Sequence, residues 1–441
     1  MAVEVVESSV VGEKWPLRVR ARKPAPNTAP RTIRIGILGL GQVGQAVARL
    51  AGDRHLVARA GWRFELEQAL VRDVSKTRRC QKPARLTSNH SAFLRGNYDV
   101  VIEALGTTEP ARTLVARLLG RGTSVVTANK ALVAEHREHL CAIAAARGAS
   151  FRYEATALSA VPFLGTLAAR PLVASVERLI AIVNGTSNFI LTALLDGGAS
   201  IEDAIARAQQ LGYAEPDPSR DLDGLDAADK LLLLTGLFGW GRVSRETLDV
   251  SGIRGVTAAD LVAARSIGGV IKPVVTAERD ASGVRAFVGP AFLSASEPLA
   301  SVGGALNGIR LDGKHVSNLF FSGPGAGPDV TAATLLDDAI QAVSSGCTSQ
   351  PGALPPSRSV SSSSPATPWF VRVTFPGVLP SSPAVSDVVS SAGLRVEDTI
   401  EHSRDHSRWL FSGPQSRREV DAAIKRLAER HRVDAAAFRR V

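Results

Sequence analysis

The chain has 441 residues and a formal charge of +10, with 45% hydrophobic and 21% charged residues. A chain of this length has room for about three domains, and its ordinary composition excludes a small disulfide-stapled protein and a wholly disordered one. No stretch approaches the roughly 20 uninterrupted apolar residues that a membrane helix needs.

The cysteines and the positive charge exclude further classes. Cys80, Cys141 and Cys347 are too few and too scattered for a disulfide framework or a metal cluster. No charged-then-apolar signal segment opens the chain, so we expect a cytoplasmic protein with no membrane partner. The surplus of arginine is spread along the chain and aromatic residues are only 5%, whereas a nucleic-acid face concentrates both types. We therefore expect no nucleic-acid partner.

The first part of the chain changes pattern at Arg31. Residues 1–30 mix apolar and basic side chains and end in three prolines, which predicts an ill-ordered extension. A β-rich run then leads into a glycine turn and a helical segment, and this alternation continues to residue 150. The pattern predicts an α/β domain with a Rossmann-type, doubly wound parallel sheet over residues 31–150. Further strand-like segments are 68–72, 98–105 and 123–127, and a helical segment covers 111–119.

The middle of the chain, residues 151–306, predicts an α+β domain that binds substrate and dimerises. Helices near residues 307–343 are expected to pack back on the first domain. The predicted elements are strands at 151–156 and 176–183, a helix at 201–211, and a very apolar helix that begins near Leu225.

A linker and a small domain complete the chain. Residues 344–368 include nine serines and five prolines, too polar a segment to form a packed core. Residues 369–441 then follow the order βαββαβ. The predicted strands are 369–374, 395–401, 408–412 and 434–438, and the helices are 383–392 and 417–431.

A nucleotide-binding fingerprint follows the first strand. In Gly39-Leu40-Gly41-Gln42-Val43-Gly44 the first glycine permits a tight turn, the second lets the backbone approach a pyrophosphate, and the third lets helix pack on strand. The helix N-terminus then faces the anion. The alternative interpretation is a glycine turn without a ligand.

Cofactor preference should be set at the end of the second strand. An acid there binds a ribose 2′-hydroxyl, whereas an arginine accommodates a 2′-phosphate. Both an acid and an arginine occur there, since Asp73 follows Arg72 directly. Three more cations come after them. The cationic surplus favours NADP, with NAD as the alternative. The three cations, Lys76, Arg78 and Arg79, are equally consistent with solvated loop charges.

Six acids and one base stand between Tyr213 and Asp229, a local reversal of sign in a basic protein. This reversal suggests a cationic ligand group such as the ammonium of an amino acid, and the alternative is a solvated acidic loop. The acids are Glu215, Asp217, Asp221, Asp223, Asp226 and Asp229, and the base is Arg220.

Two lysines are catalytic candidates. Asp226 and Lys230 lie four residues apart on a predicted helix and share a face, a spacing that is ordinarily a surface ion pair. The leucines at 231–234 follow directly, which predicts an interior helix and a desolvated lysine that needs a partner. Lys130 follows a predicted parallel strand, at the sheet edge where open α/β sheets bind ligands.

These motifs, in this order, resemble those of homoserine dehydrogenases over residues 31–342. The C-terminal unit is similar to an ACT regulatory domain, with Pro376-Gly377-Val378-Leu379 matching the pattern of that family's first loop. The motifs that carry the main resemblance are the fingerprint, Thr108-Glu109-Pro110-Ala111, Thr127-Ala128-Asn129-Lys130-Ala131-Leu132, Asn184-Gly185-Thr186-Ser187-Asn188, Leu211-Gly212-Tyr213-Ala214-Glu215-Pro216-Asp217-Pro218, Gly224-Leu225-Asp226-Ala227-Ala228-Asp229-Lys230 and Gly323-Pro324-Gly325-Ala326-Gly327.

The resemblance implies reversible reduction of L-aspartate 4-semialdehyde to L-homoserine by NAD(P)H, in threonine, methionine and isoleucine biosynthesis. It implies that Lys230 donates the proton, that Lys130 lies near nicotinamide and substrate, and that Asp226 orients Lys230 or the substrate. The implied substrate-binding residues are Thr186, Tyr213, Glu215, Asp221 and Asp226. The implied cofactor-binding residues are Gly39, Gly41, Gln42, Val43, Gly44, Arg72, Gly106, Thr107, Lys130 and Gly325.

The resemblance also implies a monovalent cation such as Na⁺, held by Glu154, Ala157, Ser159 and Val161. The chain departs from the family here, because many members have glycines where it has Leu158 and Ala160, and a positive φ at Leu158 would be strained. Thr107 is a second departure, since a glycine is common there and a Cβ would crowd the nicotinamide ribose.

Two other functions compete with this one. A catalytically inactive nucleotide or amino-acid sensor would not need both lysines, and a dehydrogenase for another small amino-acid aldehyde would not need the acids. We expect a homodimer or homotetramer. We also expect threonine as an effector of the C-terminal unit, although Pro380-Ser381-Ser382 interrupts the start of its first helix and a dimerisation module without a ligand is the alternative.

Overall fold

The structure is a computed structural model that describes residues 30–441 apart from 54, 56–60, 81–82, 171–174, 198–199, 242, 282, 345–365 and 405. The extension predicted over residues 1–30 lies outside the described residues except for Pro30, and so does most of the predicted linker. Within the described ranges, no helix is both long enough and apolar enough to cross a membrane.

The first sheet has six parallel strands in the order β3-β2-β1-β4-β5-β6. This is the Rossmann order, so the predicted fold class is confirmed, and the order reverses between β1 and β4, where such sheets bind ligands at their carboxyl ends. Its strands are β1 Arg31–Leu38, β2 Trp62–Leu70, β3 Arg85–Thr87, β4 Val100–Glu103, β5 Ser124–Thr127 and β6 Phe151–Arg152. Its helices are α1 Gln42–Ala51, α2 His90–Leu94, α3 Thr108–Leu119 and α4 Lys130–Ala146.

The second sheet has ten strands in the order β12-β11-β7-β9-β10-β16-β13-β15-β14, with β8 paired to β10. Its strands are β7 Val176–Ile182, β8 Asp249–Val250, β9 Gly269–Asp280, β10 Gly283–Ser294, β11 Leu306–Gly313, β12 Leu319–Pro324, β13 Thr367–Thr374, β14 Val396–Arg404, β15 Ser407–Gln415 and β16 Asp434–Arg440. The remaining helices are α5 Leu164–Ala168, α6 Gly185–Gly197, α7 Ile201–Gln210, α8 Ser219–Leu222, α9 Leu225–Leu237, α10 Ala258–Ser266, α11 Pro328–Ser344, α12 Ser382–Ser391 and α13 Arg417–His431.

Two predicted strands differ from the structure. The strand predicted at 68–72 is β2, which begins at Trp62 and ends at Leu70; its first half alternates apolar and charged residues, a strand pattern that the prediction missed. The strand predicted at 151–156 stops after Arg152, and Glu154–Thr156 form a 3₁₀ turn. The turn brings the Glu154 amide to a carboxylate oxygen of Asp338, 3.1 Å away.

The sequence predicts helices near residues 307–343, but only the second half of this segment is helical. Residues 306–324 form β11 and β12 of the second sheet, because β11 pairs along its length with β7 and buries alternate residues such as Ile309 and Leu311. Only α11 packs back on the first domain, where Leu335 and Ala339 enter the core under α1.

The C-terminal unit has the predicted βαββαβ order, and Pro383 fits in the first turn of α12. Its four strands continue the second sheet instead of forming a separate one, since β16 runs parallel to β10 with Ala291 opposite Arg439. Phe370, Trp409 and Phe438 share a hydrophobic core with residues of the middle region. The linker predicted at 344–368 is also shorter, because β13 begins at Thr367.

Candidate active site

The glycine turn between β1 and α1 has the shape that a dinucleotide requires. Gly39 has a φ of +95°, and a Cβ there would lie 2.7 Å from the Ala104 carbonyl oxygen. A Cβ on Gly44 would collide with the Gly39 carbonyl, whereas a Cβ on Gly41 would meet no atom within 4 Å. The space over Gly41, at the N-terminus that Gln42 and Val43 begin, therefore fits a pyrophosphate.

The charged residues in the loop after β2 differ in whether their side chains are already engaged by hydrogen bonds within the protein. Asp73 accepts hydrogen bonds from the Ser75 amide and hydroxyl at 2.8 and 2.6 Å, and these bonds lower the pKa of its carboxyl group. Arg78 donates to the carbonyls of Asp73 and Lys76, so it stabilises its own loop. Arg72 is exposed, and no described residue accepts a hydrogen bond from its guanidinium.

Lys230 and Asp226 form an interior pair, as their apolar surroundings predict. The Lys230 ammonium lies 2.8 Å from Asp226 Oδ2 and donates to the Val183 carbonyl at 2.7 Å, with only 11% of its side chain exposed. Burial by itself would raise the pKa of Asp226, but the ammonium outweighs it and the pKa is lowered. Since an ammonium has three donors, one N–H has no acceptor in the described part of the chain and is available to a ligand.

Asn184 at the end of β7 holds two carboxylates together. Its amide nitrogen donates to Asp221 Oδ1 and Asp226 Oδ2, both at 2.7 Å, and its amide oxygen accepts from the Ser187 amide. Burial and the nearby Asp226 raise the pKa of Asp221. Asn184 lies in one of the sequence motifs, but its role could not be predicted, because a distant Asp–Asn–Asp contact leaves no local pattern.

The acid-rich segment divides into two groups. Asp223 pairs with Arg254, and Asp229 pairs with both Arg220 and Arg245. These acids are neutralised by the protein, so the predicted cluster is smaller than its sequence suggests.

Of the four remaining acids, Asp217 accepts a hydrogen bond from the Ser219 amide at 3.1 Å, and the other three lie near Asn184. Asp221 and Asp226 are held by the Asn184 amide, and Glu215 is exposed with no described partner for its carboxylate. Thr186 donates to the Tyr213 carbonyl at 2.6 Å, and the Tyr213 ring packs on Phe189.

Lys130, the first residue of α4, lies at the carboxyl end of β5 and is exposed in the cleft. The protein around the cleft limits its hydration and, together with the charge of Lys230, lowers the pKa of Lys130; Asp226 and Asp221 oppose this shift. The two lysines lie on helices of different domains, α4 and α9, yet the charge of Lys230 acts on Lys130 across the cleft.

Comparisons with known proteins agree with this geometry. A family model described as homoserine dehydrogenase matches residues 162–340, and one described as homoserine dehydrogenase, NAD binding domain, matches residues 39–154. A homoserine dehydrogenase of Corynebacterium glutamicum is 38% identical over 317 residues, 70% of this chain and 71% of the relative.

Solved structures show the same likeness. A homoserine dehydrogenase from Thiobacillus denitrificans is 29% identical and covers 93% of this chain and 98% of its own, with a TM-score of 0.78. A hyperthermophilic archaeal homoserine dehydrogenase in complex with NADPH is 25% identical, with a TM-score of 0.57 over 70% of this chain and 97% of its own. The chain belongs to the homoserine dehydrogenase family. It is an oxidoreductase with a nicotinamide cofactor that interconverts L-aspartate 4-semialdehyde and L-homoserine.

The residues of this homoserine dehydrogenase that are expected to hold a cation accept hydrogen bonds from other groups of the protein. The Glu154 carboxylate accepts from the amides of Leu164 and Gly165, and the Ser159 carbonyl accepts from the Thr334 hydroxyl. The Val161 carbonyl accepts from the Phe163 amide. Three of the four expected ligands thus accept hydrogen bonds within the protein, but each of these oxygens keeps a lone pair, so the cation site stays a prediction.

The structure also shows which residue of this segment adopts the positive φ that would be strained at Leu158. The positive φ, +49°, falls on Ser159 and on neither Leu158 nor Ala160. A small polar residue tolerates this conformation better than leucine, although it is still unfavourable compared with glycine. The segment therefore folds without the glycines that many family members have.

The other expected cofactor contacts lie around the same cleft. Gly106 has a φ of +77° and faces open space, and Thr107 is exposed at the start of α3. A Cβ on Gly325 would collide with the side chain of Asn307, which donates to the same Val183 carbonyl as Lys230, at 3.2 Å. Asn307 and the buried Glu103 are two residues that sequence reasoning missed, since neither belongs to a motif with a chemical signature.

Proposed function

We propose that Lys230 is the general acid and base of homoserine oxidation and aspartate semialdehyde reduction in this chain. The observation that carries the proposal is an ammonium with two donors engaged by Asp226 and Val183 and a third N–H that has no acceptor among the described residues. A proton donor of this kind is needed because hydride addition to an aldehyde leaves an alkoxide oxygen.

The residues divide the chemistry as follows. The bound nicotinamide supplies or accepts the hydride. In the direction of reduction, Lys230 Nζ gives its proton to the aldehyde oxygen, while Asp226 and the Val183 carbonyl keep the neutral amine in place. The positive charge of Lys130, at the N-terminus of α4, stabilises the negative charge that develops on that oxygen.

The amino-acid end of the substrate would bind at the acids around Asn184. Asp221 uses one carboxylate oxygen for Asn184, which leaves the other for the substrate ammonium, and Glu215 supplies a second carboxylate from the adjacent loop. Thr186 and Tyr213 form the wall of this pocket, since the Thr186 hydroxyl holds the Tyr213 main chain. Removing any of these groups should raise KM for homoserine before it lowers kcat.

We propose NADP as the preferred cofactor. Arg72 is open to a 2′-phosphate, whereas Asp73, the group that would bind a 2′-hydroxyl, is engaged by Ser75. The related archaeal enzyme in complex with NADPH supports this preference.

A direct assay tests the proposed function. Purified protein is mixed with L-homoserine and either NADP or NAD, and absorbance of the reduced cofactor is followed. We expect turnover with both and a higher kcat/KM with NADP. Cofactor binding without any turnover would favour the alternative, an inactive sensor. Turnover with a different small amino-acid alcohol, but none with homoserine, would contradict the substrate.

We also propose that the C-terminal unit is an ACT-like regulatory domain that binds threonine. A cavity of about 390 Å³ opens between the turn that joins α12 to β14, the end of β15 and α13, a volume suited to a small ligand. Three guanidiniums and one carboxylate on its lining match the carboxylate and ammonium of a free amino acid. The charged lining residues are Arg395, Arg418, Arg426 and Glu419.

The threonine proposal is tested on the full chain, because removing β13–β16 would uncover the core that they share with the middle region. We expect millimolar threonine to inhibit the wild type and to inhibit Arg395→Gln less. Arg117→Gln, at an exposed site on α3, controls for the loss of one charge. No response to threonine in the wild type, or equal responses in the three proteins, would leave the unit a structural or dimerisation module.

A further inference from the structure

A fully buried carboxylate, Glu103, ends β4 directly beneath the cleft. None of its surface is exposed, and it is one of the described charged residues that lack a salt bridge. It accepts hydrogen bonds from the Leu105 amide at 2.8 Å, the Asn129 amide nitrogen at 3.4 Å and the Thr127 hydroxyl. A carboxylate is costly to bury, so its position here needs an explanation.

The partners of Glu103 come from the carboxyl ends of two neighbouring parallel strands, β4 and β5. Leu105 belongs to the loop that runs through Gly106 and Thr107 to α3. Thr127 and Asn129 belong to β5 and to the turn before α4. Every one of these groups donates, so the site requires a side chain with two acceptor oxygens. Replacing it with an apolar residue would leave several buried donors without partners.

Asn129 completes the connection between the two segments. Its amide nitrogen, which contacts Glu103, also donates to the Thr107 carbonyl at 2.8 Å. Its side-chain oxygen accepts from the Leu132 main-chain amide at 3.1 Å and so caps α4. The main-chain N–H of Asn129 donates to the Thr127 hydroxyl at 2.9 Å. The residue that follows Asn129 is Lys130, so the same network sets where α4 and its first side chain begin.

We infer that Glu103 is a positioning residue that holds the Leu105–Thr107 loop and the start of α4, with Lys130, at a constant separation. This inference rests on the proposed function, in which Lys130 stabilises the reacting oxygen, and on the expectation that Gly106 and Thr107 of this loop contact the cofactor. Glu103 itself touches no reacting atom. Its contribution is to keep hydride donor and acceptor in register, and misplacement by about 1 Å can cost up to roughly 10²-fold in rate.

Two variants and one matched control test this. Glu103→Gln keeps the size but turns one acceptor into a donor that faces other donors. Asn129→Ser keeps a capping oxygen for α4 but removes the bridge to Thr107 and Glu103. Asn89→Ser is the control, because Asn89 caps α2 by the same bond to a main-chain amide, at 3.0 Å, and has no described side-chain contact with the cleft.

The readouts are kcat per cofactor-binding site, KM for homoserine, the dissociation constant of NADP, and the deuterium isotope effect with homoserine deuterated at the reacting carbon. We expect kcat of both cleft variants to fall at least about tenfold, with a larger isotope effect and little change in NADP binding, because the Gly39–Gly44 turn is untouched. Asn89→Ser should keep the wild-type values.

Normal kcat and isotope effect in either folded cleft variant would overturn the inference, even if that variant melts at a lower temperature, since such a result indicates a purely structural role. If Glu103→Gln does not fold, the kcat and isotope effect of Asn129→Ser alone test the inference. The wild-type assay separates the two proposals: no turnover of homoserine refutes the proposed function, whereas normal wild-type turnover with unaffected variants refutes the positioning role alone.

Discussion

Lys230 and Asp226 lie one turn apart on α9, 2.8 Å from nitrogen to oxygen, and the same Asp226 oxygen also accepts the amide of Asn184. The carboxylate is therefore fixed from two directions, and it fixes the ammonium in turn. Because the Val183 carbonyl takes a second donor, the remaining N–H of Lys230 has a defined direction. This pre-organisation is what a proton donor requires.

Removal of the ammonium should stop chemistry without preventing cofactor binding. We expect Lys230→Ala to lower kcat by about 10²-fold or more, the usual scale for general acid catalysis, with NADP affinity unchanged because the glycine turn is intact. Lys272→Met is a matched control, since Lys272 is also buried and donates to a carbonyl, that of Val302, at 2.7 Å. A Lys230→Ala enzyme with near-normal kcat would remove Lys230 from the mechanism.

Arg72 should distinguish the two cofactors. We expect Arg72→Gln to raise KM for NADP by about tenfold, the scale of one charge-assisted contact, and to change KM for NAD little. Steady-state kinetics with each cofactor measure this. Arg85→Gln on the neighbouring strand β3 is also exposed and controls for net charge. Equal effects of Arg72→Gln on both cofactors would place the 2′-phosphate elsewhere.

The lowered pKa of Asp226 predicts how its contribution to stability depends on pH. The carboxyl group ionises more readily in the folded than in the unfolded chain, so ionised Asp226 stabilises the fold above its ordinary pKa of about 3.9. This contribution is lost as the pH falls through the lowered folded-state pKa. The difference in Tm between wild type and Asp226→Asn should therefore be largest near neutrality and shrink in acid. Asp229→Asn, on the same helix, is the control. A difference in Tm between wild type and Asp226→Asn that does not change with pH would contradict the prediction.

The junction between the C-terminal unit and the middle region depends on one buried acid. Asp260 is fully buried and accepts bonds from Arg372 and from the Trp409 indole, the latter at 2.8 Å. Arg372→Met leaves that charge without its cation, which should lower the free energy of unfolding by about 3–5 kcal/mol. Chemical denaturation measures this, with Arg430→Met on the exposed end of α13 for comparison. If Arg372→Met lowers the free energy of unfolding no more than Arg430→Met does, the junction does not rely on this pair.

Local patterns in the sequence were sufficient for the Rossmann domain and for the interior pair on α9. The fingerprint works because φ, Cβ space and the helix N-terminus are properties of a few adjacent residues. The position of Lys230 could likewise be predicted, since Asp226 lies on its own helix and the following leucines show that the helix is buried.

Only the tertiary structure decided which charges remain available to a ligand. Asp223 and Asp229 looked equivalent to Asp221 and Asp226 in sequence, but their arginine partners come from segments up to 31 residues away. Burial, too, depends on distant segments: Glu103 is an ordinary strand residue until β5 and α4 cover it. The pairing of β16 with β10 could not be predicted from the sequence, because the backbone hydrogen bonds that pair two strands are the same whatever their side chains.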